Sequence, residues 1–396
     1  MEPFDYSRLA PVPYGFTNSG ANCHFNSLIQ ALLSLPAFVE LVRRNAASLD
    51  LIETGRIMGQ IAREAPQTTG QVSSLSYDLL RALMVDLHSR QIINSFGTSQ
   101  ESASEGLTLL IDSLDTRRLT NVESAIAKAM YHRIICVYRC GRCKKEVSSR
   151  NDYAIILNLF YLDYLPHYPS TTEEFANCIL RHVETVSDYT CENCSKVPIG
   201  DYLCDCVRCA NAVQTLVLCN DPDCKKAVQG PRTTPLPSCC LCRKEGFSPC
   251  ARSGKHVSPV QVRSCDECKK ALERTCFNGC PDCKSGVRSY YLSLLPEILV
   301  CSFNVYHTRT HTPKPHWYPE LLTFDGFRSG VKCKLQYKLV AQIDHSSGHL
   351  GGGHYTAVGT RGDQQTYCFN DTSVAPHSLR PNAHTYLIFY HFEKYV

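Results

Sequence analysis

Two short stretches at opposite ends of the chain carry residue types that could do covalent chemistry. Residues 15–30 read GFTNSGANCHFNSLIQ, with Cys23 preceded by Asn18 and followed by Asn26 and Ser27. Gly15 and Gly20 bracket a polar turn, and from Phe25 apolar residues recur at Leu28, Ile29, Leu32, Leu33 and Leu35. The spacing predicts a tight loop running into an amphipathic helix, with Cys23 at or near its start. At a helix N-terminus, unpaired backbone N–H groups and the macrodipole favour thiolate over thiol. A buried structural cysteine is the plain alternative, since free cysteine is among the most buried residue types.

The far end of the chain weighs against that alternative. His354 follows Gly351, Gly352 and Gly353, which give access and mobility, and it starts an apolar strand. After a second strand over 365–369 come Asn370 and Asp371. A cysteine nucleophile needs a base, the base needs an orienter, and a hairpin of that length can set one of these two beside the imidazole. Cysteine near the N-terminus with histidine and asparagine far downstream is the order of the papain-type triad, in which asparagine holds the imidazole. His24 is a poor base for Cys23, because neighbouring helix residues point about 100° apart.

These residues need elements to hold them. Residues 31–119 read as mostly helical, with apolar residues three and four apart over 77–87 and 105–114 and loops at 67–76 and 94–104. From Arg133 the period changes to strands over 133–138 and 153–161, with Cys140 and Cys143 in the hairpin turn between them. A helical segment over 172–186 precedes Cys191 and Cys194. Strands follow over 290–305, entered through a proline, and over 337–343, 354–360, 365–369 and 385–392. Helices first and strands later predict an α+β fold.

The composition of 43% hydrophobic and 20% charged residues is globular, and 396 residues allow one large domain or two to three smaller ones. A net charge of +4 implies no nucleic-acid or membrane-surface role. Residues 1–15 lack an apolar signal region and no 18-residue apolar run occurs, so no membrane association is expected and a cytoplasmic or nuclear location is.

The 24 cysteines are the outlier, and fourteen of them fall between Cys204 and Cys283. In a reducing compartment such spacings mean metal or redox chemistry. The pairs Cys140/Cys143 and Cys191/Cys194 supply four thiolates, enough for a closed tetrahedral Zn2+ site with no open position for catalysis. Cys265/Cys268 and Cys280/Cys283 form a second set, so more than one structural Zn2+ is expected. Cys280/Cys283 also competes with Cys191/Cys194 as partner of Cys140/Cys143. Residues 195–286 show little apolar periodicity, so metal holds them where a core cannot. The block reads either as a surface for a protein partner or as a structural insert.

The residues resemble a known family. GFTNSGANCHFNSLIQALLSLP resembles the cysteine box of the ubiquitin-specific proteases, and YKLVAQIDHSSGHLGGGHYTAVG their histidine box. TYCFNDTSV, TSQESASEGL, SLLPEILVCSFNVY and TYLIFY resemble four further segments of that family in the same order, and the paired CxxC motifs match its zinc fingers. The resemblance implies a papain-like cysteine protease fold with thumb, palm and zinc-stabilised fingers. It implies a single catalytic domain over 1–396, with a helical thumb at 1–125, fingers at 126–300 containing the insert at 195–286, and a β-rich palm at 301–396. The implied activity is thiol hydrolysis of the peptide or isopeptide bond after the C-terminal Gly-Gly of ubiquitin. Cys23 would be nucleophile, His354 general base and then acid, and Asn370 the orienter. Asn18 matches the oxyanion donor and Asp371 the following acidic position. Gly351, Gly352, Gly353 and Tyr355 would line the channel for the substrate's tail. Ubiquitin or ubiquitinated proteins are the implied partners. A ubiquitin-like modifier as substrate, or a weakly catalytic zinc-binding scaffold, are the alternatives. Departures at Ala21, Asn22, His24, Ser102, Gly106 and Asn304 imply slower or narrower activity.

Overall fold

Apolar residues three and four apart demand helices with one face to cover, and the computed structural model forms them throughout the first third of the chain. It describes residues 13–18, 20–64, 74–91, 93, 102–114, 124–140, 146–186, 216–218, 227–229, 286–305, 316–328, 331–346 and 352–396. The helices are α1 (Cys23–Leu33), α2 (Pro36–Arg44), α3 (Ala46–Leu49), α4 (Glu53–Glu64), α5 (Ser74–Ser89), α6 (Ala103–Ser113) and α7 (Ala125–Met130). Pro36 opens α2 at the first helical position, where a missing N–H costs nothing.

Every residue of α1 is buried. Its polar residues are affordable there because each is bonded: Ser27 Oγ donates to the His24 carbonyl, and Gln30 Nε2 donates to the Tyr14 carbonyl at 2.7 Å.

The strands and one later helix are β1 (His132–Cys140), β2 (Glu146–Ala154), β3 (Ile156–Asn158), α8 (Thr172–Leu180), β4 (Arg181–Val186), β5 (Leu216–Leu218), β6 (Ala227–Gln229), β7 (Gly286–Leu294), β8 (Ile298–Ser302), β9 (Leu321–Arg328), β10 (Val331–His345), β11 (Tyr355–Thr360), β12 (Thr366–Asn370), β13 (Ser373–Pro376) and β14 (Thr385–Tyr395).

The chain divides into two units. The first holds Met1–Ile134, Asp152–Arg181 and Leu292–Val396. Its eight-stranded sheet runs β13-β12-β11-β10-β14-β8-β3, with β9 also paired to β10. The pairs are antiparallel except β3 with β8, which is parallel. Alternate residues of one strand enter different cores: Leu387 and Phe389 of β14 pack with the helices, while Ile388, Tyr390 and Phe392 pack with α8 and β9. Burial on both faces is why β8 reads as an unbroken apolar run.

The second unit holds Ile135–Asn151 and His182–Tyr291. It is built on a four-stranded sheet ordered β2-β1-β7-β4, and it contains the two-stranded β5-β6 pair.

Three expectations from the sequence are corrected. Residues 172–186 are not one helix: α8 opens with a capping box between Thr171 and Glu174 and stops at Leu180, and β4 follows. Beyond Leu180 exposure alternates along the chain, His182 and Glu184 being half-buried between exposed Arg181, Val183 and Thr185, and three of the six residues, Val183, Thr185 and Val186, are β-branched. Residues 153–161 are not one strand either. Asn158 Oδ1 accepts from Phe160 N at 3.0 Å, turning the chain into a 3-10 helix over Phe160–Tyr164. The strand over 290–305 is two, β7 and β8, parted at Pro296, which cannot donate to a ladder.

Candidate active site

Cys23 is the first residue of α1 and is 4% exposed. Asn22 occupies the N-cap position without a side-chain cap bond, and Asn26 N donates to the Asn22 carbonyl at 2.9 Å, closing the first turn. The loop before the helix is organised by one amide. Asn18 Oδ1 accepts from Gly20 N at 3.1 Å and from Asn22 N at 3.2 Å, so its Nδ2 is turned the other way, donating to Asp371 Oδ2 at 3.0 Å.

The histidine side of the site is built by the β11–β12 hairpin. Ala357 pairs with Phe369. His354 lies three residues before Ala357 and Asn370 one residue after Phe369, so both stand at the same end of the hairpin. His354 Nε2–H donates to Asn370 Oδ1 at 2.6 Å. That bond assigns the proton to Nε2 and leaves Nδ1 as the basic nitrogen of the neutral ring. The His354 side chain is 37% exposed, so the ring is open to solvent.

Asp371 joins the two halves. It is the first residue of the two-residue turn between β12 and β13, at φ 51°, a conformation that aspartate and asparagine tolerate better than most side chains. Its carboxylate accepts from Asn18 and, through Oδ1, from Asn26 Nδ2 at 2.6 Å, and its carbonyl accepts from Phe16 N at 2.9 Å. His354 Nε2 lies 3.9 Å from Asp371 Oδ2. Asn26 is three residues after Cys23, and residues at that spacing share a helix face. The face of α1 that carries Cys23 is therefore the face bound to the turn beside Asn370. Residues 353 apart in sequence are tied by one carboxylate.

His24 is buried, its Nδ1–H donating to the Ala21 carbonyl at 2.9 Å and its ring 6.5 Å from that of Tyr355. It is a packing residue at the base of the loop. Tyr355, expected in the substrate channel, is 3% exposed with its ring 4.2 Å from that of His345, so its side chain belongs to the core. Gly352 and Gly353 are described and Gly351 is not; Gly353 stands at φ 130°, which a side chain would strain. Ser102 stands at the N-cap position of α6 without a side-chain cap bond, and its hydroxyl exchanges a hydrogen bond with the Tyr386 hydroxyl at 2.8 Å.

Of the expected metal ligands, Cys140 is the last residue of β1 and is buried. Cys143, Cys191, Cys194, Cys265, Cys268, Cys280 and Cys283 lie outside the described residues. Among the described residues no group of three or more His, Cys, Asp or Glu side chains could hold a metal ion.

Sequence reasoning missed Asn26 as a bonding partner of Asp371, although its three-residue spacing from Cys23 was there to be read. It also missed Arg361, which carries no local signal at all.

A family model described as ubiquitin carboxyl-terminal hydrolase matches residues 14–390. No curated protein sequence matches the chain. Among solved structures, a chain of the SAGA DUB module of Ubp8, Sgf11, Sus1 and Sgf73 bound to monoubiquitin is similar at 15% identity and a TM-score of 0.59, over 100% of this chain and 72% of that one. The same module bound to ubiquitin aldehyde is similar at 15% identity and a TM-score of 0.58, over 100% and 72%. A yeast SAGA module structure is similar at 14% identity and a TM-score of 0.57, over 100% and 71%. The shared fold is the papain-like one expected from the sequence. With the family model covering residues 14–390, the chain belongs to the ubiquitin carboxyl-terminal hydrolases, which are cysteine deubiquitinases.

Proposed function

We propose that Cys23, His354 and Asn370 act as the triad of this deubiquitinase, hydrolysing the bond after the C-terminal Gly-Gly of ubiquitin. The observation that carries this is the 2.6 Å bond from His354 Nε2 to Asn370 Oδ1, beside an Asp371 that holds both the cysteine loop and α1. In this reading His354 Nδ1 takes the Cys23 proton, and the thiolate attacks the carbonyl carbon of the terminal glycine. The imidazolium then protonates the departing lysine amine, leaving a thioester on Cys23. Water, deprotonated by His354, attacks the thioester and releases the carboxylate and the thiolate. Asn370 holds the ring in the tautomer this requires. The second Nδ2 hydrogen of Asn18 is the candidate oxyanion donor, its amide being fixed by three bonds; such a donor is worth roughly 3–4 kcal/mol of barrier. Gly352 and Gly353 would pass a tail without side chains.

We further propose that Cys140 and Cys143, with a second CxxC pair, hold structural Zn2+ in the second unit. The buried position of Cys140 at a strand end supports this. The metal's contribution there would be to fold stability, outside the reaction. Ubiquitin is the proposed partner, and a protein partner for the cysteine-rich block is a further one.

The test is ubiquitin carrying a C-terminal thiol-reactive warhead, with Cys23→Ala as control. A covalent adduct on Cys23 alone is expected. Binding without an adduct would favour a scaffold, and neither binding nor adduct would point to a ubiquitin-like modifier.

A further inference from the structure

Arg361 is among the largest fully buried side chains of the protein, and it sits where β11 ends. A guanidinium is always charged near neutral pH, and burying one is costly unless a carboxylate offsets it. The groups it bonds are neutral, and the carboxylate that acts on it, Asp363 two residues on, does so through space without a hydrogen bond. It donates to Gln30 Oε1 and to Ser34 Oγ, and more weakly to the Gln30 carbonyl at 3.4 Å. Its carbon lies 4.2 Å over the ring of Phe369, the residue before Asn370. Its Nε has no partner among the described residues. Replacing the guanidinium alone would leave Gln30 Oε1 buried without this donor, so part of what it supplies is stability. The other part is direction, through a rigid fork of donors.

That direction runs along α1. Gln30 and Ser34 stand at its C-terminal end, where a cation complements the helix dipole and one of the last carbonyls lacks an intrahelical donor. Ser34 Oγ in turn donates to the Gln30 carbonyl at 3.0 Å. The approach is close: a Cβ on Gly359 would fall 2.1 Å from Ser34 Oγ, so only glycine lets β11 run against this helix end. At the other end of the same helix, Asp371 binds Asn26. An eleven-residue helix is thus pinned twice to one hairpin, by Asp371 near Cys23 and by Arg361 near Leu33. Packing holds this buried helix in place, and the two polar ties, being directional, set its register along the hairpin.

We propose that Arg361 is a positioning residue for the reaction, fixing α1 against the β11–β12 hairpin so that Cys23 and His354 keep their register. This rests on the reading of Cys23 and His354 as the reacting pair. The test compares wild type, Arg361→Met and Arg361→Lys by three measurements: kcat and KM on ubiquitin bearing a C-terminal fluorophore, the pH profile of Cys23 alkylation by iodoacetamide, and the thermal midpoint. In Arg361→Met, kcat falls by roughly tenfold to a hundredfold, the scale of an ångström of misplacement, while KM holds and the protein, though lower in midpoint, stays folded at the assay temperature. The alkylation profile moves up towards that of an ordinary thiol, because an imidazole out of register no longer stabilises the thiolate. Arg361→Lys, keeping the charge and losing the fork, recovers part of both.

Unchanged kcat and alkylation in a folded Arg361→Met overturns the proposal, as does a loss that only follows the unfolded fraction. Should Arg361→Met fail to fold, the folded Arg361→Lys must show the same split at smaller size, and wild-type values there overturn it. An ordinary thiol profile in the wild type overturns the reacting pair and this inference together. A low-lying wild-type profile without ubiquitin hydrolysis overturns the substrate alone, and the alkylation shift then decides Arg361.

Discussion

The eight-stranded sheet of the first unit and the four-stranded sheet of the second are held by different forces. In the first, β8 is buried at every position and β14 at its first eight, because cores lie on both faces. In the second, β4 alternates between exposed and half-buried residues until Val186. There the strands are bridged by polar and aromatic side chains. Arg288 of β7 lies 4.7 Å over the Tyr138 ring of β1 and donates to Glu184 of β4 at 2.8 Å, Tyr290 donates to the same carboxylate at 3.1 Å, and His182 stacks on Tyr290. Such partly exposed contacts are individually weak. A sheet covered twice can carry a site that tolerates no ångström of drift, whereas a sheet bridged by surface groups needs another source of stability. Metal is the proposed source.

The comparison breaks first on metal removal. Chelation, or Cys140→Ser, is expected to release zinc measurable by atomic emission and to speed amide exchange across β1, β4 and β7, while β8 and β14 stay protected; structural zinc is worth about 10 kcal/mol or more in small domains. Exchange that rises equally in both sheets would erase the distinction. Next is Phe389→Ala, which empties a fully buried ring position and should cost about 3–5 kcal/mol in urea unfolding.

Acid supplies a third probe. Burial pushes His132 and His391 down to about 4 from an ordinary 6.5. Both are neutral in the folded and unfolded chain above pH 6.5. Between 6.5 and 4 only the unfolded chain takes up the proton, so stability falls with pH by about 1.4 kcal/mol per unit for each histidine. Asp344 and Glu297, raised by burial, oppose this, because on acidification the folded chain takes up their protons before the unfolded chain does. Substituting His132→Gln should flatten the thermal-midpoint slope between pH 6.5 and 5, and an unaltered slope would discount its role. The smallest effect is expected of Glu184→Gln. With 37% of its side chain exposed, the loss should stay under about 1 kcal/mol, and a cost approaching that of Phe389→Ala would mean the polar ladder, not metal, holds the second sheet.

What the residues announced by themselves is concentrated where chemistry fixes spacing. Cys23 at a helix start and His354 and Asn370 at the open end of one hairpin follow from local patterns, since a helix period and a hairpin length are properties of a few neighbouring residues. The apolar run of β8 likewise declared a strand entered through a proline, and its burial on both faces came from the packing. Where two periods share a short stretch, as across Leu180 and Arg181, the pattern is ambiguous and the partner strand settles it: β4 exists because β7 offers an edge. Strands β9 and β13 were not legible for the same reason, their pairing with β10 and β12 being nonlocal.

The tertiary structure alone decided which polar groups meet. Nothing near Asp371 in sequence points to Asn18 and Asn26, and nothing near Arg361 points to Gln30 and Ser34. A hydrogen bond depends on a few tenths of an ångström and on angle, and both are set only when sheet, hairpin and helix have packed. The sequence determined the reacting groups and the elements that bear them. Packing determined their register.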